Sequence, residues 1–295
     1  MRVAFLGLGA IGWPIAVHLA KPPFELTVWN RTVEKARTFA GEHSVSLAPS
    51  PAAAARNADV IITCLPSSEE VRNLLDGADG LESGLRTGSL LVDCTSGDPR
   101  TSVEIAARLA GRGVDFIDAP VSGGVKGAEA GALTIMCGGE AALIDRARPV
   151  LEAFSKRIVR CGSTGAGDAV KAMNQALLAI HIWSAGECLT ALAKYGVDAS
   201  TALEVINGSS GRSNASENLF PERVVTREFP RTFRIALLDK DVAIAADVAS
   251  RAGVPAPFIE LASRLFAEAH AGLGEEADHV EAVRIIEQRA GVRVS

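Results

Sequence analysis

The sequence predicts an α/β domain built on a largely parallel sheet, joined by one long helix to an all-helical domain. Three observations carry that expectation. Up to about residue 160, short apolar runs alternate with Ala-, Arg- and Glu-rich helical stretches, the rhythm of βαβ crossovers with helices on both sheet faces. Beyond Gly165 that rhythm stops and no further convincing strand follows. The 295 residues are too many for one ordinary domain and suit two.

The elements follow in order. The runs at 2–8 (RVAFLGL), 25–30 (ELTVWN), 58–66 (ADVIITCLP), 89–96 (SLLVDCTS), 115–122 (DFIDAPVS), 133–139 (LTIMCGG) and 157–162 (RIVRCG) read as strands. Helical patterns fill most of the gaps between them. A single long helix is expected over about 166–195, ended by Gly196. The stretch 207–222 (NGSSGRSNASENLFPE) reads as loop within an otherwise helical remainder. Glycines cluster from Gly162 to Gly167, which places the expected domains at 1–162 and 163–295. Part of the long helix, Ala176 to Ala193, is long enough to cross a bilayer. It carries His181, Ser184, Glu187 and Thr190, so a buried helix between domains is the reading preferred.

Composition narrows the function classes. The net charge is −5 with a pI near 5.6, against a general nucleic-acid or membrane-surface binder, which needs a basic face. Aromatic residues are only 5%, so the core must be aliphatic. The five cysteines are scattered and form no CxxC pair. A reducing compartment, the cytoplasm, is expected, with no metal framework. The chain runs from Met1 straight into a strand pattern with no basic leader, so no signal peptide is expected.

Gly7, Gly9 and Gly12 form G-x-G-x-x-G after the first strand and at the start of a helix. In a Rossmann-type domain the first glycine makes the tight turn. The second lets backbone approach a pyrophosphate, and the third lets helix and strand pack closely. A tight turn that binds nothing is the plainer alternative, but strand, helix and second strand arrive in the right order. At the end of the second strand an acid would bind the ribose 2′-OH of NAD. This chain has Asn30, Arg31 and Thr32 there. A neutral side chain beside a guanidinium favours the 2′-phosphate of NADP.

Lys171, Asn174 and Gln175 fall at i, i+3 and i+4 of the long helix, hence on one face. A lone lysine on such a helix is usually a solvated one. This helix is apolar almost all round, and partial desolvation there suits a general acid/base. Ser122, Gly123 and Gly124 follow a strand end and form either a carboxylate cradle or an ordinary loop exit. Thr95 and Ser96 place hydroxyls at the carboxyl end of the fourth strand run, the edge where such sheets bind ligands.

Four segments together resemble the β-hydroxyacid dehydrogenases, most closely the 3-hydroxyisobutyrate dehydrogenase-like members. "FLGLGAIGWPIAVHLA" resembles their cofactor signature, with Ile11 and Ile15 where methionine is common. "DAPVSGG" (118–124) is similar to the substrate signature, "GSTGAGDAVKAMNQ" (162–175) to the catalytic signature, and "LLDKDVAIA" (237–245) to a C-terminal Lys-Asp motif. The resemblance implies Lys171 as the catalytic lysine. It implies cofactor contacts from Gly7, Leu8, Gly9, Ala10, Ile11, Gly12, Asn30, Arg31, Thr32, Leu65, Pro66, Thr95, Ser96 and Lys240. Substrate contacts are implied from Thr95, Ser96, Ser122, Gly123, Gly124, Asn174, Gln175 and Phe233. Gln175 stands where the family usually has asparagine. "SSGRS" (209–213) and Phe233 favour the 3-hydroxyisobutyrate type, an activity of valine catabolism, whereas "VWNRT" is common among the family's NADPH-dependent aldehyde reductases.

The expected activity is therefore hydride transfer between NADP and a small 3-hydroxy acid. A semialdehyde or glyoxylate reductase, an imine reductase and a non-catalytic dinucleotide-binding sensor remain alternatives. The Ala-rich long helix suggests subunit contact, so a homodimer or homotetramer is expected.

Overall fold

The structure, a computed structural model, describes residues 1–294. It comprises two compact units, Met1–Lys171 and Ala172–Ser295, and the division falls inside the longest helix.

The first unit holds β1 (Arg2–Leu6), β2 (Glu25–Trp29), β3 (Ser46–Leu47), β4 (Val60–Thr63), β5 (Leu90–Asp93), β6 (Asp115–Asp118), β7 (Val121–Ser122), β8 (Leu133–Gly138) and β9 (Ser155–Gly162). Helices α1 (Gly12–Leu19), α2 (Val33–His43), α3 (Pro51–Ala55), α4 (Ser68–Leu75), α5 (Leu81–Gly84), α6 (Pro99–Ala110), α7 (Gly124–Glu129) and α8 (Ala141–Leu151) connect them. The sheet runs β3-β2-β1-β4-β5-β6-β8-β7, with β9 on β8. β1 to β6 pair in parallel, whereas β8 is antiparallel to β6 and β7. The order reverses between β1 and β4, the switch point where doubly wound sheets bind ligands.

Burial explains why the strands read as unbroken apolar runs. Every residue of β4 and of β5 is buried, as strands covered on both faces must be. Val3 and Phe5 of β1 join one core with Ile62 and Val92; Ala4 and Leu6 join a second with Ile61 and Leu91. The run 115–122 is two strands rather than one. Ala119 and Pro120 separate β6 from β7, which keep one direction and one antiparallel register against β8. The two-residue β3 carries too little pattern to be read from sequence.

α9 (Ala166–Lys194) is the expected long helix. It stops at Gly196, whose φ of 80° lets the Val197 N–H return to the Leu192 carbonyl. Among the described residues α9 is the one helix with the length and hydropathy of a membrane span. Its Ala179, Ile182, Trp183 and Leu189 are nevertheless buried in the second unit's core. That unit continues with α10 (Ala199–Asn207), α11 (Ile235–Arg251), α12 (Pro257–Leu273) and α13 (Val283–Ala290).

The expectation of loop over 207–222 is corrected in its second half. Ala215–Val225 winds as a wide helix with Pro221 inside it, and Phe220 and Val224 are fully buried. Proline and the polar run hid the helix; two core side chains hold it.

Close packing at the first βα turn generates a test. A Cβ on Gly12 would stand 1.9 Å from the Gly7 carbonyl oxygen, whereas one on Gly41 in α2 meets nothing within 4 Å. Gly12→Ala is expected to destabilise the protein by about 1–3 kcal/mol. Gly41→Ala is expected to stabilise it by roughly 0.5–1 kcal/mol through helix propensity. Urea unfolding midpoints measure both, and shifts of the same sign would refute the packing account.

Candidate active site

The three motif glycines divide by role. Gly7 has φ 110°, and a Cβ there would press to 2.3 Å from the Cys64 carbonyl oxygen at the end of β4. Gly12 is closed off by Gly7 itself. Gly9 differs: an added Cβ meets nothing within 4 Å. The protein's own packing does not require glycine at position 9. A phosphate brought against the backbone does; the Trp13 and Ile15 N–H groups are bonded to the Gly9 and Ile11 carbonyls and Pro14 has none, which leaves donation to the turn ahead of them. The turn therefore fits a dinucleotide pyrophosphate, with Leu8, Ala10 and Ile11 on the same loop.

Asn30 has a second task that the sequence did not disclose. Its Oδ1 accepts the Leu8 N–H at 2.9 Å, and its Nδ2 donates to the Thr32 carbonyl at 3.0 Å. The amide clips the glycine turn to the end of β2. Arg31 is 81% exposed along its side chain and pairs with Glu70 of α4 at 2.9 Å.

The carboxyl ends of β4 and β5 are laced together. The Thr95 hydroxyl accepts the Leu65 N–H at 3.0 Å, next to Pro66. Asp93 accepts the Thr63 hydroxyl at 2.8 Å and the Thr95 N–H at 3.0 Å. Burial pushes the Asp93 carboxyl up to about 6, against the pull of Thr95 and Thr63. Burial, with the Asp93 charge behind it, pushes the Cys64 thiol up to about 12, which leaves no thiolate nucleophile at the switch point. Ser96 follows, half-buried.

Beside them, Ser122 ends β7 opposite Thr134. Gly123 and Gly124 have φ of 137° and 63°, so their N–H groups turn away from the sheet ladder at the start of α7.

Lys171 lies in the second turn of α9 with 8% of its surface exposed. The first turn is fixed by two buried acids. Asp118, at the end of β6, accepts the Gly165 N–H at 2.7 Å and the Asp168 N–H at 3.0 Å. Asp168 in turn accepts the Gly97 N–H at 3.1 Å and the Ser102 hydroxyl at 2.6 Å. Burial raises the Asp118 carboxyl, opposed by those backbone N–H groups. Burial and the neighbouring Asp118 and Asp93 charges hold Asp168 well above the usual carboxylate range. The first unit thus gathers the glycine turn, Asn30–Thr32, Leu65–Pro66, Thr95–Ser96, Ser122–Gly124 and Lys171 along the carboxyl edge of its sheet.

In the second unit Asn174 is exposed and Gln175 buried. The Gln175 Nε2 donates to Asp241 at 3.0 Å, and Lys240 donates to the other Asp241 oxygen at 2.7 Å. Lys240 thus pairs with its neighbour Asp241, and Asp241 joins it to Gln175. Phe233 stacks edge-on to His279 at 5.3 Å, and its N–H reaches Asp278. Among the described residues no three His, Cys, Asp or Glu side chains gather to hold a metal.

Sequence reasoning missed Asp93, Asp118 and Asp168. Each lay inside a motif already singled out. A charged residue flanked by apolar strand residues or glycines was the available signal.

Comparison with known proteins agrees with this geometry. The family model for the NAD-binding domain of 6-phosphogluconate dehydrogenase matches residues 2–162. The model described as NAD-binding of NADP-dependent 3-hydroxyisobutyrate dehydrogenase matches residues 165–286. A 2-(hydroxymethyl)glutarate dehydrogenase from Eubacterium barkeri is 35% identical over 100% of this chain and 98% of its own. A 3-hydroxyisobutyrate dehydrogenase from Pseudomonas aeruginosa is 35% identical over 90% of each chain. The solved structure of Mycobacterium tuberculosis 3-hydroxyisobutyrate dehydrogenase with L-serine superposes with a TM-score of 0.88 at 31% identity, covering 97% of this chain and 98% of that one. With the sheet order, the glycine turn and matches across nearly its whole length, the chain belongs to the 3-hydroxyisobutyrate dehydrogenase family of NAD(P)-binding hydroxy acid dehydrogenases.

Proposed function

We propose that this enzyme oxidises a small 3-hydroxy acid of the form HOCH2–CHR–COO⁻, with NADP as hydride acceptor and Lys171 as general acid/base. The observation that carries the reading is the buried Lys171, one turn beyond the point where α9 is fastened to the Ser96–Gly97 segment. The compounds named with the relatives support the substrate class. 2-(Hydroxymethyl)glutarate, 3-hydroxyisobutyrate and L-serine all carry a primary alcohol one carbon from the carbon bearing the carboxylate. They differ only in R.

The nicotinamide dinucleotide, when bound at the glycine turn, supplies the hydride acceptor. Ser122 and the N–H groups of Gly123 and Gly124 hold the substrate carboxylate. Lys171 takes the hydroxyl proton as hydride leaves the carbinol carbon. In the reductive direction its ammonium returns that proton to the carbonyl oxygen.

Lys171→Ala is expected to keep the fold and cofactor affinity and to lose about 10²- to 10⁴-fold in turnover. The assay is an initial-rate panel of 2-substituted 3-hydroxy acids and the matching semialdehydes with both cofactors. A mutant retaining more than roughly a tenth of wild-type turnover at saturating substrate refutes the lysine assignment, since a positioned base supplies far more.

The cofactor preference follows from magnitudes. The exposed Arg31–Glu70 pair is worth at most about 1 kcal/mol. A charge-assisted bond from Arg31 to a 2′-phosphate contributes about 1.5–3 kcal/mol, so the phosphate outcompetes Glu70. Net of the Glu70 pair about 0.5–3 kcal/mol remains, roughly twofold to hundredfold in favour of NADP. Aspartate at position 30 can still accept the Leu8 N–H but cannot donate to the Thr32 carbonyl, so Asn30→Asp with Arg31→Ala should keep the first contact, lose the second and reverse the preference. The ratio of kcat/KM for the two cofactors reads this out; a ratio that the double mutation leaves unmoved counts against it.

A further inference from the structure

Lys171 has to present its amine at one place, yet it sits on a 29-residue helix. A slip of one residue in such a helix would swing the lysine by about 100° and move it about 1.5 Å. Asp118 and Asp168 oppose that slip in different directions. Asp118 reaches from the end of β6 and takes two N–H groups at the mouth of α9. Asp168 reaches from α9 itself to the Gly97 N–H after β5 and to the Ser102 hydroxyl on α6. One acid fixes the helix end on the sheet; the other fixes its rotation against a separate loop and helix.

The surrounding glycines are cut to fit these carboxyl groups. A Cβ on Gly138 would stand 2.4 Å from an Asp118 oxygen. One on Gly167 would stand 2.7 Å from the other Asp118 oxygen and 2.2 Å from the Met136 carbonyl. One on Gly97 would stand 3.3 Å from Asp168 and 2.5 Å from the Ser68 hydroxyl. Both acids are fully buried, at 0% and 1% exposure. Burial of ionisable groups costs stability that apolar packing would not.

We infer that Asp168, with Asp118 behind it, is a positioning residue for Lys171, holding the lysine's helix in register with the Ser96–Gly97 segment. The inference rests on the proposed role of Lys171. Asp168 holds its place as a neutral acid would: one oxygen accepts from Gly97 and the other meets a hydroxyl that can reverse its direction. Asparagine can make both contacts. At position 118 both oxygens accept from backbone N–H groups, so asparagine would turn an N–H₂ onto an N–H. The two sites should therefore respond oppositely to the same substitution.

The test uses Asp168→Ala, Asp168→Asn, Asp118→Asn, Lys171→Ala and the Asp168→Ala/Lys171→Ala double variant, with melting curves, kcat and KM for each. Asp168→Ala is expected to lower kcat about ten- to hundredfold, the scale of a misplacement near 1 Å, with KM nearly unchanged. Asp168→Asn should recover kcat to near wild type, while Asp118→Asn should lose it. In the Lys171→Ala background Asp168→Ala should cost nothing further, because the group it positions is gone. If Asp168→Ala does not fold, Ser102→Ala, which removes one of the two Asp168 contacts, is read in its place and should lower kcat without raising KM. Folded Asp168→Ala with wild-type kcat, equal losses for alanine and asparagine at 168, or multiplied losses in the double variant overturn the inference alone. Lys171→Ala with wild-type turnover overturns the lysine assignment and this inference with it.

Discussion

A buried carboxylate at the mouth of a long helix is the constraint from which the first unit's edge is built. Asp118 ends β6, and its two oxygens collect the Gly165 and Asp168 N–H groups. A helix leaves its first N–H groups unpaired and carries partial positive charge at that end. Asp118 answers both needs at once. Much of the nearby sequence follows from making room for it: no side chain fits at Gly138 or Gly167. Of the glycines before the lysine, Gly167 makes room for that acid and for the Met136 carbonyl, whereas Gly165 is closed off by the Pro99 carbonyl.

The second unit uses the same device with the opposite electrical outcome. Asp278 accepts N–H groups from Thr232, Phe233 and Val280 and pairs with Arg223 at 3.1 Å. Burial works against its charge, but the His279 contact and the backbone N–H groups hold the carboxyl far below the usual range. Asp168 is as deeply buried, yet its strongest neighbours after burial are the like charges of Asp118 and Asp93. A shared side chain and similar burial thus give an anion in one place and favour a neutral acid in the other. The sign of the nearest groups decides.

The fold class was legible because the strands are buried on both faces and the helices on one. β4 and β5 announce themselves as apolar runs, and α9 as an Ala-rich stretch closed by Gly196. The break between β6 and β7 was not legible, since Ala119 and Pro120 continue the apolar run and the chain keeps its direction and register against β8. The wide helix at Ala215–Val225 was masked by Pro221, and its existence depends on Phe220 and Val224 finding a core that only the folded chain supplies. At the site, the motifs located Lys171, Ser122 and the glycine turn. They did not reveal that Thr95 spends its hydroxyl on Leu65, or that Gln175 and Lys240 converge on Asp241. Spacing reports which residues share a face; it does not report partners drawn from distant segments.

The Asn30 clip limits how this protein can drift. Asn30, at the strand end expected to face the cofactor's ribose, also supplies the acceptor for the Leu8 N–H within the glycine turn. The clip itself calls for a side chain that offers an oxygen at that reach, asparagine and aspartate foremost. An amide-to-acid exchange there would keep the Leu8 contact and give up the donation to the Thr32 carbonyl. Apolar replacements, harmless on most loops, would leave the Leu8 N–H without that acceptor.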